Sequence, residues 1–358
     1  MKAEHRRIVG VDLYYVREIR WAYWSMDSAI GKLLKTHGMD KCSFKKVYTP
    51  ARPSVDLSEG PSDNSGYPLR RVVGGILYIA VAGRPDISFA IARLARFTAA
   101  PTAAAVAEAK HLLKCLAATQ FEGLLHSPET ESQYKSLYRS VLAAGGRDIE
   151  KSDTLTFTDA DFAGCALTLR STSGSIVLFR SFPIAWSSKR QALRAHSTCQ
   201  SEIQGQNDTV ELLKSLGFLH LFVGDPEDEF FDATEELPPV LADNTSAIHV
   251  AQAEMATKRT KHYMLRYQKV KDWGKAFSHV ETGLNLGDQF TKILSADNYV
   301  QLLNPWLGIS SKTSNKKNKK TDSTEGKSSS SLSHPDASSA SVLLTLLGDL
   351  EVRALAFY

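Results

Sequence analysis

Asp159, Glu202, Asp243 and Asp288 each stand in a distinct local setting: Thr158-Asp159-Ala160-Asp161-Phe162-Ala163-Gly164, Ser197-Thr198-Cys199-Gln200-Ser201-Glu202, Leu241-Ala242-Asp243-Asn244, and Leu286-Gly287-Asp288-Gln289-Phe290-Thr291-Lys292. Carboxylates a few ångströms apart repel and raise one another's pKa, so a cluster of them needs a counter-charge. Hard divalent cations supply one. Two such cations about 3.5–4 Å apart can activate a water and neutralise the leaving oxygen in phosphodiester cleavage. The chemistry open to these residues together is therefore metal-assisted hydrolysis. Taken singly, an Asp at a strand end or helix start is more often a turn former or cap than a ligand. Four acids in this order, each inside its own longer signature, reverse that balance. Asp161 is read as the nearest decoy, turned away from Asp159 into a solvated role.

The elements that must position these side chains follow from the hydrophobic period. After residue 152 the period changes from about 3.6 to 2, with strands expected at 155–159, 175–179 and 184–187. A long helix is expected over 198–221, followed by a strand at 239–242, a helix at 244–252, a strand at 276–281 and a helix at 288–303. This order describes a mixed α/β sheet covered by helices. Asp159 and Asp243 then fall at strand ends, where α/β sheets commonly present functional groups. Glu202 projects from the long helix onto the same edge, and Asp288 opens the last helix as an N-cap favoured by the helix dipole.

Upstream, a strand-like run at 8–13 precedes a helical pattern through Ile30, Leu33 and Leu34 that stops at Gly38. Residues 51–66 read as a connector, rich in Pro, Ser, Asp and Gly. Three helical patterns follow: Val72 to Ile79, Ile87 to Phe97, and a run through Val106 to Leu116 with Pro101 in its first turn. The organisation expected is thus a small helical unit at 1–126, a polar linker at 127–152, a mixed-sheet domain at 153–307 and a largely disordered Ser/Lys-rich tail at 308–358. Within that tail, Lys316-Lys317-Asn318-Lys319-Lys320 reads equally as an import or nucleic-acid patch and as a solvated linker.

Composition narrows the class. With 358 residues, 43% hydrophobic and 23% charged, the chain can bury roughly two ordinary cores. A net charge of +4 favours a polyanionic partner only weakly. Cys42, Cys115, Cys165 and Cys199 form no CxxC pair, which argues against a zinc site or a disulfide framework and for a reducing compartment. No signal peptide or run of about 18 apolar residues is present, so a cytoplasmic or nuclear protein with no membrane partner is expected.

At these residues the chain resembles the ribonuclease H domain of copia-type long-terminal-repeat retrotransposon polyproteins. The matching pieces are Asp159-Ala160-Asp161-Phe162-Ala163-Gly164, Arg170-Ser171-Thr172-Ser173-Gly174, Ile184-Ala185-Trp186-Ser187-Ser188-Lys189, Ser197-Thr198 leading to Glu202, Asp243-Asn244-Thr245-Ser246-Ala247, Arg259-Thr260-Lys261-His262 with Arg266-Tyr267, and Asp288-Gln289-Phe290-Thr291-Lys292. They cover about residues 150–305. Upstream, Val73-Gly74-Gly75-Ile76-Leu77-Tyr78 and Arg84-Pro85-Asp86-Ile87-Ser88-Phe89-Ala90 look like the end of the same polyprotein's reverse transcriptase and its connection. The YxDD polymerase box is absent, so polymerase activity is not expected, and the chain reads as a truncated element or a gene derived from one.

The resemblance implies a ribonuclease H-like five-stranded mixed sheet with flanking helices, preceded by a small helical reverse-transcriptase remnant. It implies Asp159, Glu202, Asp243 and Asp288 as ligands of two Mg²⁺ or Mn²⁺ ions that hydrolyse the RNA strand of an RNA–DNA hybrid. Asn244, Ser246, Arg259, Lys261, His262 and Arg266 are the candidates for strand contacts, and other retrotransposon proteins are candidate partners. The alternative is a catalytically silent nucleic-acid-binding relic. A DNA-directed nuclease fits less well, because an Asp, Asp, Glu order is not the one observed. The family usually has Glu at the position of Gln200, and Gln204-Gly205-Gln206-Asn207-Asp208 predicts a loosened helix around Glu202, since a mid-helix Gly costs roughly 1 kcal/mol relative to Ala. His279 is read as structural.

Overall fold

A computed structural model describes residues 3–39, 47–53, 55–58, 60–223, 237–253, 268–295 and 297–298. Its centre is a five-stranded mixed sheet in the order β7-β6-β5-β8-β9. Strands β5 (Thr154–Asp161), β6 (Thr172–Phe179) and β7 (Phe182–Arg190) are antiparallel, while β8 (Val240–Ala242) and β9 (Phe277–His279) continue the sheet parallel to β5. The antiparallel strands alternate faces with period 2, as their sequences require. Leu155, Phe157, Ile176 and Leu178 point into one core, and Val177, Ala185, Val240 and Ala242 into another. The mixed α/β sheet expected from the hydrophobic period is therefore present.

Helices α6 (Thr198–Val223) and α7 (Thr245–Gln252) cover the second face through Ile203, Val210, Leu213, Ala247 and Ile248. α6 is a single uninterrupted helix, so the loosening expected at Gly205 does not occur. The glycine has a packing reason: an added Cβ would sit 3.2 Å from the Asp159 carbonyl oxygen and 3.4 Å from Ala160 Cβ. The Thr209 hydroxyl ties the next turn to Thr158 Oγ1 at 2.9 Å. Close approach to β5 thus offsets the loss in helix propensity.

The first face is covered by the N-terminal unit, which is not simply helical. It contains a four-stranded antiparallel sheet of β1 (Glu4–Ile8), β2 (Val11–Val16), β3 (Trp21–Ser25) and β4 (Leu124–His126). The strand-like run at 8–13 spans a hairpin turn, with Val9 and Gly10 both at positive φ. A β-branched residue in that region is uncommon, which conceals the turn in the sequence. Packed with this sheet are α1 (Asp27–Thr36), α2 (Leu69–Ala82), α3 (Ser88–Ala95) and α4 (Ala103–Ala118). Thr102, one residue past Pro101, caps α4 by accepting from the Ala105 amide.

The stretch read as a linker, 127–152, is instead mostly helix. α5 (Pro128–Ala144) opens on a capping box between Ser127 and Thr130 with Pro128 in the first turn. Its Tyr134 stacks edge-on to Tyr138 at 5.6 Å, and Tyr138 to Phe157 at 5.0 Å, which carries the helix into the core beneath β5. One continuous core joins Trp24, Ile76, Ile79 and Leu116 to Phe157, Leu178 and Phe182. The Trp186 indole donates to the Ala80 carbonyl at 3.0 Å across the seam.

The helix expected at 288–303 is replaced over its first turns by a 3₁₀ stretch, Leu286–Phe290, and irregular chain to 295. Asn285, not Asp288, caps it by accepting from the Gly287 amide. Before it, α8 (Gln268–Asp272) packs against α6 and α7. Among the described residues no helix is long and apolar enough to cross a membrane. The tail 308–358 lies outside the described residues.

Candidate metal centre

Four separate elements deliver the four acids to one end of the sheet. Asp159 lies near the C-terminal end of β5, and Asp243 directly follows the parallel neighbour β8. Glu202 stands in the second turn of α6, and Asp288 lies inside the 3₁₀ stretch that crosses β5 and β6. Carboxylate oxygens of Asp159, Glu202 and Asp243 all lie within 4.8 Å of one another. Asp288 joins them through Lys292, whose ammonium is 2.9 Å from Asp288 Oδ2 and 4.0 Å from Asp159 Oδ2.

The residues around the acids hold them in place. Thr291 donates its hydroxyl to Asp159 Oδ2, and Thr282 donates to Asp243 Oδ2 at 2.9 Å. Asn285 donates to the Thr158 carbonyl at 3.1 Å, and Ser188 donates to the Phe290 carbonyl at 2.6 Å, so residues 285–291 form a strap clamped to β5 and β7. Gly287 permits the contact, because an added Cβ would lie 2.8 Å from the Thr158 carbonyl carbon and 2.9 Å from Asp159 Cβ.

The electrostatics follow from burial and crowding. Asp159, Glu202 and Asp288 are 4%, 5% and 6% exposed, so each is penalised by desolvation when ionised. Burial first, then the charges of Asp159 and Asp243, push Glu202 up to about 9. Burial and Asp159 push Asp288 up to about 7. Asp159 is also raised by burial, against the opposing pull of Lys292 and the Thr291 hydroxyl. The Oδ1 atom of Asp288 is buried with no hydrogen-bond partner among the described residues. An all-oxygen donor set, short of positive charge and holding an unsatisfied buried carboxylate oxygen, suits a hard divalent cation.

The position of Asp161 differs from the one expected. Residues two apart in a strand share a face, and Asp161 is half-buried with its carboxyl raised by burial and by the charge of Asp159. It therefore belongs to the border of the cluster. Asn244 caps α7, its Oδ1 accepting from the Ala247 amide at 2.9 Å, while Ser246 is exposed on the first turn of that helix. Arg259, Lys261, His262 and Arg266 lie outside the described residues. His279 is exposed at the end of β9. Sequence reasoning missed Lys292 as a participant, although its spacing of four from Asp288 was visible; Thr282 and Asn285 carried no local signal.

Comparison with known proteins finds relatives among transposon polyproteins. The Retrovirus-related Pol polyprotein from transposon RE1 of Arabidopsis thaliana is 29% identical over 261 residues, 70% of this chain and 16% of the polyprotein. The corresponding polyprotein from transposon RE2 of the same plant is 28% identical over 261 residues. The polyprotein from transposon TNT 1-94 of Nicotiana tabacum is 26% identical over 307 residues, 82% of this chain and 21% of its own length. The chain's homologues are thus retrovirus-related Pol polyproteins of transposons. It spans about a sixth to a fifth of their length. No family model matches the chain, and no solved structure matches it.

Proposed function

We propose that this retrotransposon-derived chain is a metal-dependent endonuclease of ribonuclease H type that cleaves the RNA strand of RNA–DNA hybrids. The observation that carries the reading is the convergence of Asp159, Glu202 and Asp243 within 4.8 Å, from elements far apart in sequence, with Asp288 alongside. A sheet of three antiparallel strands extended by two parallel ones, with the acids at one end, supports the ribonuclease H-like assignment. The Pol polyprotein relatives support descent from a retrotransposon.

The four carboxylates would hold two Mg²⁺ or Mn²⁺ ions, which when bound supply an activated water and neutralise charge on the leaving oxygen. The chain's own residues do the positioning. Thr291 and Thr282 fix the oxygens of Asp159 and Asp243, and the strap clamped by Asn285 and Ser188 fixes Asp288. Glu202 and Asp288 hold protons near neutrality until a cation favours their charged forms, and Lys292 balances part of the remaining charge. Asn244 and Ser246, directly after Asp243, would meet the strand beside the acids, where the 2′-hydroxyl distinguishes RNA from DNA. Arg259, Lys261, His262 and Arg266 would extend that contact.

The test is Mg²⁺-dependent cleavage of an end-labelled hybrid by the full chain. Cleavage should fall by at least about 100-fold in Asp159→Asn and in Asp243→Asn, as expected when a carboxylate ligand is removed from such a centre. A chain that binds hybrid yet cleaves it in neither Mg²⁺ nor Mn²⁺ would instead be the silent relic.

A further inference from the structure

Two loops at the carboxylate end of the sheet display apolar side chains that no described residue covers. The first joins β5 to β6 and carries Phe162, Leu167 and Leu169; the second joins β7 to α6 and carries Leu193. Leu167, Leu169 and Leu193 are 64%, 55% and 56% exposed, and Phe162 is 39% exposed. Hydrogen bonds hold the loops side by side: the Gln191 amide donates to the Ser171 carbonyl at 2.8 Å, and Arg194 Nε donates to the Thr168 carbonyl at 2.8 Å. The first loop is also tied within itself. The Leu169 amide donates to the Cys165 carbonyl at 2.7 Å, and the Ala163 amide donates to Ser171 Oγ at 3.1 Å. Leu169 has a φ of 51°, uncommon for a branched apolar residue, so a specific turn displays it. Exposed leucines are ordinary one at a time, whereas four large apolar side chains on two joined loops mark an interaction surface.

The chain also carries a segment that matches this surface. Residues 342–358 lie outside the described residues, and their sequence places Leu343, Leu346, Leu347, Leu350 and Phe357 on one face at helical spacing. Such a stripe is what an amphipathic helix lays into an apolar site. Its carboxylates, Asp349 and Glu351, outnumber Arg353, while the two loops and β7 bring Arg170, Lys189 and Arg194 to the edge of the patch. The signs are complementary. The strap lies on β5 and β6 at this same end, with Phe290 and Thr291 beside Gly174, and it leads toward the segment. A coil of the length of residues 299–341 has an r.m.s. span of roughly 35 Å, enough to return to the two loops.

We propose that residues 342–358 dock as an amphipathic helix on the patch formed by Phe162, Leu167, Leu169 and Leu193 of the same chain. The docked segment lies beside the carboxylate cluster and competes with nucleic acid for that end of the sheet. Docking stands without the nuclease reading; only the competition rests on it.

The test follows amide hydrogen exchange of the full chain in peptides covering 160–170, 190–196, 299–309 and 340–358. Wild type is compared with Leu167→Ser/Leu193→Ser in the loops and Leu346→Ser/Leu350→Ser in the segment. Amides of 343–357 should exchange about tenfold more slowly than free chain, and either pair should abolish that protection. Tenfold protection corresponds to a docked fraction of about nine-tenths, so either pair should also tighten binding of a fluorescent RNA–DNA hybrid in EDTA by about tenfold. Melting of both pairs shows that they fold, since all four side chains lie outside the described core. Unprotected amides in 343–357 would overturn the proposal, as would protection that survives Leu167→Ser/Leu193→Ser. Protection that falls on dilution would assign the patch to a second copy, and protection of the loops by 299–309 alone would assign it to that segment; each overturns docking by 342–358. Released protection in a chain that binds no hybrid, with or without the substitutions, would leave docking in place and overturn the nuclease reading.

Discussion

Lys292 places its ammonium 2.9 Å from Asp288 Oδ2 and 4.0 Å from Asp159 Oδ2, so one fixed cation bridges two of the clustered acids. Its side chain is 40% exposed, which limits what the pair contributes to folding to about 1 kcal/mol or less. Its larger effect is on the field at the site. Lys292→Met should lower the Mg²⁺ concentration needed for half-maximal cleavage and enlarge the rise in Tm that Mg²⁺ produces. An unchanged Mg²⁺ midpoint would show that the lysine charge is not felt at the centre.

The raised carboxyls set a pH dependence whose sign is fixed. Burial and the neighbouring charges hold Glu202 at about 9 and Asp288 at about 7, while the unfolded chain releases these protons near pH 4. The folded form binds more protons between those values, so the stability they contribute is full below about pH 4 and is lost as pH rises through about 7 and 9. In EDTA, the Tm of wild type should fall relative to Glu202→Gln/Asp288→Asn from about pH 5 to pH 9, and excess Mg²⁺ should remove most of that difference. Parallel melting curves in EDTA would contradict the burial of these groups side by side.

Gly287 is a sharp probe of the strap. A methyl there would lie 2.8 Å from the Thr158 carbonyl carbon and 2.9 Å from Asp159 Cβ, contacts that backbone atoms cannot relieve by rotation. Gly287→Ala should cost about 1–3 kcal/mol in urea denaturation and depress cleavage further by shifting Asp288. Wild-type stability in this variant would mean that the strap does not lie on β5.

The core shared by the N-terminal unit and the first face of the central sheet predicts the behaviour of fragments. Leu155, Phe157, Ile176, Leu178 and Phe182 are covered by residues of the first 126, including Trp24, Ile76 and Ile79. A fragment of 127–307 should therefore expose that face, bind a hydrophobic dye and lose a cooperative melt. A soluble, cooperatively melting fragment would argue that the two units fold independently.

The carboxylate set is legible in the sequence because each acid sits inside a local signature, and the strands of the central sheet with α6 and α7 are legible because alternation and the 3.6 period are local properties, whereas the helix expected at 288–303 is not found over 288–295. The four-stranded N-terminal sheet is not, since Val9 in the turn reads as strand and β4 is only Leu124–His126. α5 reads as polar chain over most of its length, although Ser127, Pro128 and Thr130 spell its start. Asp161 shares the parity of Asp159 along β5, and that parity, rather than any solvated role, decides its place.

By itself, the sequence determined the order of the acids, the elements that carry Asp159, Glu202 and Asp243, and the kinship with transposon polyproteins. Only the tertiary structure decided that Asp159, Glu202 and Asp243 meet and that Lys292 and Thr291 join them. The reason is physical: periodicity records which way a side chain leaves its own element, whereas the partner it meets depends on strand order, helix approach and burial shared between distant segments.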